Sequence, residues 1–341
     1  MLVGQASWLV NPGTSRAATE GVRELRVKSM EFTALETLSR RAVLASASAA
    51  LLAHAAPLPP GGQTTRAKLK VAIFSKHLQF VQGEDLAQAA AGIGFDAVDI
   101  TVRKGGHVDP ARVRQDLPPL VAILRRHALG VPMITTDIVD ADTPYAEDVL
   151  GTMADLGIHR YRWGGLTYAP SQPYPAQLDG MKPRIARLAA LNSRYQACAM
   201  YHTHSGTNVV GASIWDLYIL LKDYDPAAVG VNFDIGHAVV EGGLGGWMNS
   251  FRITGPRVRG IAVKDFVWAR DAGRKWNPQW VPLGQGMVPF SEFFAMVAAA
   301  SFDGPVQVHF EYPLSRQPDE VYRAMKRDLA QLRGYLAQAN L

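Results

Sequence analysis

Eight short apolar runs alternate with eight longer amphipathic segments along the chain after residue 66. The apolar runs lie at residues 69–75, 97–102, 131–138, 159–164, 197–204, 230–236, 259–266 and 305–312. Each run is nearly continuous in apolar residues, as strands covered on both faces require. The segments with helical spacing of apolar residues lie at 84–92, 110–128, 144–156, 175–195, 213–222, 243–251, 290–301 and 318–338. Eight strand-then-helix units predict an α/β fold of the (β/α)8 TIM-barrel type.

An open, doubly wound sheet is the alternative arrangement for the same alternation of strands and helices. Such a sheet carries a glycine-rich phosphate-binding turn after its first strand. Here the first strand is followed by "FSKHLQF", which contains no glycine. The barrel is therefore the favoured prediction.

An N-terminal extension, residues 1–65, precedes the predicted barrel domain at residues 66–341. Within it, Arg40 and Arg41 precede a small-residue apolar run and an A-x-A pattern at 53–55, which resembles a twin-arginine export signal. The run is about 15 residues, short of the ~20 that span a bilayer, so no stable membrane anchor is expected. This predicts a periplasmic or secreted protein, with an Ala-rich linker or helix as the alternative. Met30 is a candidate start site beside Met1.

Charge and cysteine content limit the possible partners and sites. The formal net charge of +5 is weak, and no basic run with interleaved aromatic residues is present, so no nucleic-acid partner is expected. Cys198 is the only cysteine, which excludes a disulfide within the chain and a cysteine-rich zinc site. It lies in an apolar run and is expected to be a plain buried thiol.

Ionisable side chains gather where six of the predicted strands end. In chain order these are Arg103, His107, the stretch "RYRWGG", His202, His204, Asp234, His237, Lys264, Asp265, His309 and Glu311. Catalytic groups of TIM barrels lie at these strand ends. A histidine there also serves in hydrogen-bonded packing, but a carboxylate after an apolar strand is costly unless it is paired or metal-bound. The pattern favours a divalent metal, Mn²⁺, Co²⁺, Mg²⁺ or Zn²⁺, that binds two sugar oxygens and stabilises an enediolate.

Aromatic residues are placed on the predicted loops after strands 4 and 7. They are Trp163, Tyr168, Trp268, Trp276 and Trp280. Exposed loop tryptophans suit stacking against sugar faces. A capped barrel mouth or a subunit contact is the alternative, so a homo-oligomer is possible.

With these residues placed, the chain resembles the xylose isomerase-like TIM-barrel superfamily over residues 68–338. The stretches that carry the resemblance are "GFDAVDITVR", "YHTHSGT", "NFDIGHA", "IAVKDF", "PLGQG" and "HFEY". The resemblance implies four metal ligands, a Glu, an Asp, a His and a Glu, from strands 5 to 8. Asp234, accompanied by His237, and Glu311 match two of them. His202 stands where the first Glu is expected, and Ala262 stands where the His is expected.

The resemblance implies an exported sugar isomerase or epimerase that acts on a carbohydrate or cyclitol by proton abstraction. Its expected metal ligands are His202, His204, Asp234, His237 and Glu311, and its expected catalytic residues are Glu311, His202 and Lys264. The expected substrate-binding residues are Arg103, His107, Trp163, Tyr168, Asp265 and Trp268. Because alanine binds no metal, Lys264 is an alternative electrophile. A lyase or hydrolase acting on a keto-sugar or glycoside, and a non-catalytic carbohydrate-binding barrel, remain the competing hypotheses.

Overall fold

The computed structural model describes residues 68–341, and the predicted export signal lies outside this range. Eight parallel strands close into a barrel in the order β1-β10-β7-β6-β5-β4-β3-β2. These strands are β1 (Val71–Phe74), β2 (Ala97–Val102), β3 (Ile134–Thr136), β4 (Arg160–Trp163), β5 (Cys198–His202), β6 (Val229–Asp234), β7 (Val258–Val263) and β10 (Val306–Val308). Two further strands, β8 (Asp265–Arg270) and β9 (Trp276–Val281), pair antiparallel as a separate two-stranded sheet. The predicted (β/α)8 barrel is confirmed, because each barrel strand falls within or beside one of the eight apolar runs.

Helices connect the barrel strands and cover them from outside. They are α1 (Gly83–Ile93), α2 (Val113–Arg126), α3 (Ala146–Asp155), α4 (Tyr174–Arg194), α5 (Ile214–Leu221), α6 (Ile235–Gly242), α7 (Gly246–Thr254), α8 (Phe290–Ala299) and α9 (Pro318–Gln338). None of the helices within residues 68–341 combines the length and apolar character needed to cross a membrane. The prediction of one helix at 243–251 was wrong in its bounds, because α6 ends at Gly242 and α7 begins at Gly246.

The first of these two helices begins directly after strand β6. Asp234, the last residue of β6, accepts a hydrogen bond from the backbone N–H of His237 through Oδ1, at 3.0 Å. This N-cap satisfies a backbone donor that the first helical turn leaves free. The cap therefore fixes Asp234 and His237 relative to one another at the mouth of the barrel.

The seventh apolar run divides at Lys264 instead of continuing to residue 266. Strand β7 ends at Val263, and Asp265 begins the antiparallel hairpin β8–β9. Beyond Phe266 the side chains alternate between exposed and half-buried, which is the period-2 pattern of a strand with one solvated face. The hairpin thus rises from the carboxyl end of β7, at the face of the barrel where Lys264 lies.

The barrel interior below the mouth is closed by packed side chains. Met133, Cys198 and Met200 form a buried cluster of their own. The Cys198 thiol donates to the carbonyl oxygen of Pro226 at 3.5 Å, and burial raises its pKa to about 11. The prediction of a plain buried thiol is confirmed, because such a thiol stays protonated at neutral pH.

Candidate active site

Six ionisable side chains converge at the carboxyl ends of four adjacent strands, β5, β6, β7 and β10. They are His202, His204, Asp234, His237, Lys264 and Glu311, and the structure brings all six together. The strands are neighbours in the barrel order, so their carboxyl ends meet at one place. Carboxyl ends of barrel strands are where TIM-barrel enzymes carry their catalytic groups.

Lys264 is the centre of this cluster, and its side chain is 1% exposed. Its ammonium nitrogen lies 3.0 Å from Glu311 Oε2 and 3.2 Å from Asp234 Oδ2. It also donates to Nε2 of His237 at 2.6 Å. A buried ammonium is costly unless carboxylates compensate it, and here two of them do so. Lys264 therefore places a resident positive charge between the two carboxylates.

The two outer imidazoles are held in their neutral form. Because Lys264 donates to Nε2 of His237, the proton of that ring lies on Nδ1, where it donates to Ser205 Oγ at 2.8 Å. Burial, reinforced by the charge of Lys264, lowers the pKa of His237 to about 2. Burial, with the charges of Arg162 and Lys264, lowers the pKa of His204 to about 4. Both rings are therefore uncharged at neutral pH, and the lone pair of His237 on Nε2 accepts the Lys264 hydrogen bond.

A second group lies deeper and consists of His202, Asp234 and His309, all fully buried. Oδ2 of Asp234 lies 3.4 Å from His202 Nε2 and 3.9 Å from His309 Nδ1. Within the described part of the chain, His202 Nε2, Asp234 Oδ2 and both ring nitrogens of His309 are buried without a hydrogen-bond partner. Burial first, and neighbouring cations second, keep the pKa of both rings well below the usual range. Asp234 Oδ2 also pairs with Lys264 at 3.2 Å, so the ring nitrogens are the atoms that a ligand or an ion would satisfy.

This deeper group fits a divalent metal. One ligand atom from each of its three residues lies within 4.8 Å of the others. Two imidazoles and a carboxylate are ligands that Zn²⁺, Mn²⁺ and Co²⁺ accept. His202, His204 and His237 form another group within the same limit. Glu311 belongs to neither of these groups and is paired with Lys264 instead.

Asn232 determines which ring nitrogen of His202 carries the proton. The Asn232 amide nitrogen lies 3.1 Å from His202 Nδ1, and the Asn232 amide oxygen has no hydrogen-bond partner. With the amide turned over, that oxygen accepts the proton of Nδ1, and the lone pair of Nε2 points toward Asp234. Gly260 makes room for either orientation, since a Cβ there would lie 2.9 Å from the Asn232 oxygen. Asn232 is thus the residue that sets the protonated nitrogen of His202, as hydrogen-bond partners of metal-binding histidines do.

Several predicted substrate-binding residues are placed elsewhere. Trp163 was wrongly placed on an exposed loop, because it ends β4, is 1% exposed and donates through Nε1 to the carbonyl oxygen of Val139. Tyr168 is also buried, and its hydroxyl donates to Asp216 at 2.7 Å. Trp163 packs on Tyr201 and Tyr168 stacks on Tyr174, so neither ring presents a free face to a sugar.

Three other predicted substrate-binding residues, His107, Asp265 and Arg103, contact other residues of the fold. The ring of His107 lies 3.0 Å from Thr101 Oγ1 and 3.2 Å from the carbonyl oxygen of Val81. Asp265 accepts four backbone N–H groups, from Phe266, Gly284, Gly286 and Val288. Arg103 lies over the ring of Phe74, 5.7 Å from its centre, and that ring packs on His309. Of the three, only Arg103 borders the cluster.

Sequence reasoning left His309 and Arg162 without a role at the site. His309 shares a strand face with Glu311 in "HFEY", and Arg162 alternates with Trp163 in "RYRWGG", so the period-2 pattern was the available signal. Arg162 lies over the ring of Phe74 at 5.6 Å, and its charge lowers the pKa of His202 and His204. Both residues point into the barrel, where their neighbours are the cluster residues.

Asp99 on β2 gives the fold a pH dependence that is open to measurement. It is completely buried, and burial raises its pKa to about 7 although Thr135 Oγ1 donates to it at 2.8 Å. Because the folded-state pKa exceeds the unfolded one, the folded state retains a proton that the unfolded state loses between about pH 4 and pH 7. Asp99 should therefore destabilise the folded state increasingly as pH rises through this window, whereas His202, His204, His237 and His309, whose pKa values are lowered by burial, contribute in the opposite direction.

The stability difference between Asp99→Asn and the wild type should grow with pH over this window and reach on the order of 4 kcal/mol in favour of the variant at pH 8. Urea unfolding at pH 5 and pH 8 measures the difference, with the exposed Asp155→Asn as the matched control. The same pH dependence of stability in the wild type and in Asp99→Asn would contradict the prediction.

A sequence model described as "Xylose isomerase-like TIM barrel" matches residues 87–332 of the chain. No curated protein matches the sequence. Among solved structures, a D-psicose 3-epimerase from Clostridium cellulolyticum H10 shares 12% identity over 79% of this chain and 99% of that one, with a TM-score of 0.60. A 3-keto-D-glucoside 4-epimerase from E. coli shares 15% over 78% and 100%, with a TM-score of 0.56. A probable 3-DHS dehydratase from Bacillus anthracis shares 16% over 76% and 98%, with a TM-score of 0.59. At these identities the likeness concerns the fold.

Proposed function

Because the chain belongs to the xylose isomerase-like TIM barrel family, we propose that it is an isomerase or epimerase acting on a carbohydrate or cyclitol. The reaction is removal and return of a proton on the carbon next to a carbonyl group. One observation carries the proposal: the Lys264 ammonium lies 3.0 Å from the Glu311 carboxylate at the mouth of the barrel. At this separation the carboxylate can accept a proton from a substrate carbon while the ammonium contacts the oxygen of the adjacent carbonyl group.

Glu311 is the base in this proposal. Its side chain is 25% exposed, whereas those of Asp234 and His309 are 0% exposed, so it is the acidic group of the cluster that a substrate reaches. Burial acts to raise its pKa, but the charge and hydrogen bond of Lys264 outweigh burial and hold the pKa below the usual value. Glu311 is therefore ionised at neutral pH and accepts a proton from carbon.

Lys264 supplies the charge that stabilises the oxyanion formed when the proton leaves. Its ammonium is buried and already oriented by Asp234, Glu311 and His237, so little reorganisation accompanies the reaction. His237 orients the ammonium through Nε2 and is itself held by Ser205. The neutral His204, whose ring centre lies 4.7 Å from that of His237, is the candidate for proton exchange with a substrate hydroxyl.

The deeper residues His202, Asp234 and His309 are proposed to hold a divalent metal, Zn²⁺, Mn²⁺ or Co²⁺. When bound, such an ion supplies Lewis-acid polarisation of the substrate carbonyl. Imidazole ligands make Mg²⁺ a poorer choice. Lys264 already pairs with Asp234 Oδ2 at 3.2 Å, so its charge would oppose that of an ion held by Asp234.

The named neighbours support a sugar as the substrate class. One is an epimerase of D-psicose whose structure holds D-tagatose, and another is an epimerase of a 3-keto-D-glucoside. A lyase acting on a keto-sugar begins with the same proton abstraction and differs in the departure of a leaving group. Product analysis separates these two reactions, and a binding barrel would give no product.

Glu311→Gln tests the base. In D₂O, the wild-type protein should incorporate deuterium into at least one member of a panel of ketoses, inososes and 3-keto-glucosides, as followed by NMR. The glutamine variant should lose at least about 100-fold of this rate, since general-base catalysis contributes 10²–10⁴-fold. Exposed Glu292→Gln is the matched control and should retain the wild-type rate.

Exchange that survives in Glu311→Gln would remove Glu311 from the proposed role. Sugar binding by the wild type without exchange of any substrate would favour the non-catalytic carbohydrate-binding barrel. Release of a leaving group together with exchange would identify a lyase.

A further inference from the structure

The hairpin β8–β9 carries one aromatic face. Its register pairs Phe266 with Trp280, Trp268 with Pro278, and Arg270 with Trp276. Directly paired residues of antiparallel strands share a face, and alternate residues along a strand return to that face. Six side chains therefore line one side of the hairpin, namely Phe266, Trp268, Arg270, Trp276, Pro278 and Trp280.

This face is continuous with the candidate active site. The Trp280 ring lies 4.4 Å from the Lys264 ammonium and 5.1 Å from the ring of His237. Phe266 contacts both Trp280 and Trp268, with ring centres 6.0 Å and 5.8 Å away. Toward the tip, the Arg270 guanidinium lies 5.0 Å over the Trp276 ring. The rings of Trp280 and Phe266 thus connect the Lys264 ammonium with Trp268, and the Arg270–Trp276 pair lies farther out toward the end of the hairpin.

Exposure rises along this series. Phe266 is 1% exposed, Trp268 is 40% exposed and Trp276 is 59% exposed. The face spans five residues of each strand, and the four steps between them cover ~14 Å at the usual rise of an antiparallel strand. That length exceeds a single sugar ring, so one ring bound at Lys264 leaves the outer half of the face uncovered.

We propose that this aromatic face is a binding subsite for the part of the substrate beyond the reacting sugar. The substrate class is then a glycoside or disaccharide, with its second ring stacked on Trp268 and Trp276. The Arg270 guanidinium, held over Trp276, supplies hydrogen-bond donors to hydroxyl groups at the rim. The proposal rests on the proposed function, because it takes the reacting ring to lie at Lys264.

The exposed area favours a sugar over a second copy of the chain. Trp268 and Trp276 together expose no more than roughly 250 Å² of ring surface. A stable protein interface needs about 800 Å² from each partner. An area of this size suits one or two stacked sugar rings that are already anchored at the barrel mouth.

Calorimetric titration of the full chain tests the subsite. The probes are cellobiose, laminaribiose, maltose, lactose, trehalose and sucrose, together with the methyl glycosides of their component sugars. At least one disaccharide should bind about tenfold more tightly than the matching methyl glycoside. Trp268→Ala and Trp276→Ala should each remove most of this preference. Trp215→Ala, at a tryptophan that is 58% exposed on α5, is the matched control and should bind as the wild type does.

Two outcomes overturn the subsite. In one, no disaccharide binds more tightly than its methyl glycoside, or the preference survives in both tryptophan variants. In the other, the variants change the oligomeric state in size-exclusion chromatography, which assigns the face to a subunit contact.

Glu311→Gln separates the subsite from the proposed function, since it should lose proton exchange and retain the disaccharide preference. Tryptophan-dependent disaccharide binding by a wild-type protein that exchanges no proton would refute the proposed function and support the subsite.

Discussion

Replacing Lys264 by methionine should lower the rate of proton exchange by about 10²–10³-fold, the usual loss when one preorganised oxyanion donor is removed. Methionine fills a similar volume without the charge. The ammonium lies within 3.2 Å of both Asp234 and Glu311, and no other lysine contact to either carboxylate is found in residues 68–341. Single-turnover deuterium exchange in the variant and in Lys222→Met, an exposed lysine, gives the comparison.

The same variant should bind a divalent metal more tightly than the wild type. Loss of the ammonium beside Asp234 Oδ2 removes a repulsive charge and frees that oxygen for an ion. It also leaves two carboxylates without their cation, which should cost about 3–5 kcal/mol of stability. Added Zn²⁺ or Mn²⁺ should recover part of this loss, because a ligand that binds only the folded state stabilises it.

Calorimetry with Zn²⁺ and Mn²⁺, and thermal unfolding with and without metal, measure the two effects. Unchanged metal affinity in Lys264→Met would show that Asp234 faces no ion. Undiminished exchange would show that Lys264 is a structural counter-charge alone.

Replacing Asp265 by alanine should destabilise the protein by about 3–5 kcal/mol, because several buried N–H groups lose their acceptor at once. The carboxylate accepts bonds from the N–H groups of Phe266, Gly284, Gly286 and Val288, at 2.8 to 3.1 Å. It thereby ties the first residues of the hairpin to the loop that returns from it. Urea unfolding measures the loss, and limited proteolysis within residues 282–288 should show the loop opening.

Asp271→Ala is the matched control for this experiment. Asp271 accepts hydrogen bonds from the Lys275 N–H and the Asn277 amide, but it lies at the exposed tip of the hairpin. Water replaces an exposed acceptor, so its loss should cost less than about 1 kcal/mol. Equal costs for the two variants would show that the bonds to Asp265 carry no special stability.

The barrel was open to prediction because six of its eight strands are buried on both faces, while β4 and β7 include half-buried residues. The run "AVDITV" shows this most plainly, since the predicted residues 97–102 are the bounds of β2. Asp234 and Lys264 were recognisable for the same reason, as charged residues that end apolar strands. Their ion pair follows from the neighbouring positions of β6 and β7 in the barrel.

Burial of apolar runs predicted neither the hairpin nor the side of its strand on which each aromatic residue lies. The stretch "DFVWAR" was partly assigned to a barrel strand and partly to a loop, because short-range periodicity does not report which strand is the partner. Trp163 was misplaced because strand β4 places alternate residues inside and outside the barrel. Arg162 takes the inner position and Trp163 the outer one, where it packs on Tyr201 with ring centres 5.2 Å apart.

Because Asp265 anchors the base of the hairpin, changes within the hairpin are separated from changes at Lys264. Residues 267–279 lie between two fixed ends, whereas Trp280 contacts the Lys264 ammonium at 4.4 Å. A change in the sequence or length of residues 267–279 should therefore leave the geometry at Lys264 intact. Transplanting a foreign hairpin between Phe266 and Trp280 is the natural route to new substrates in this scaffold.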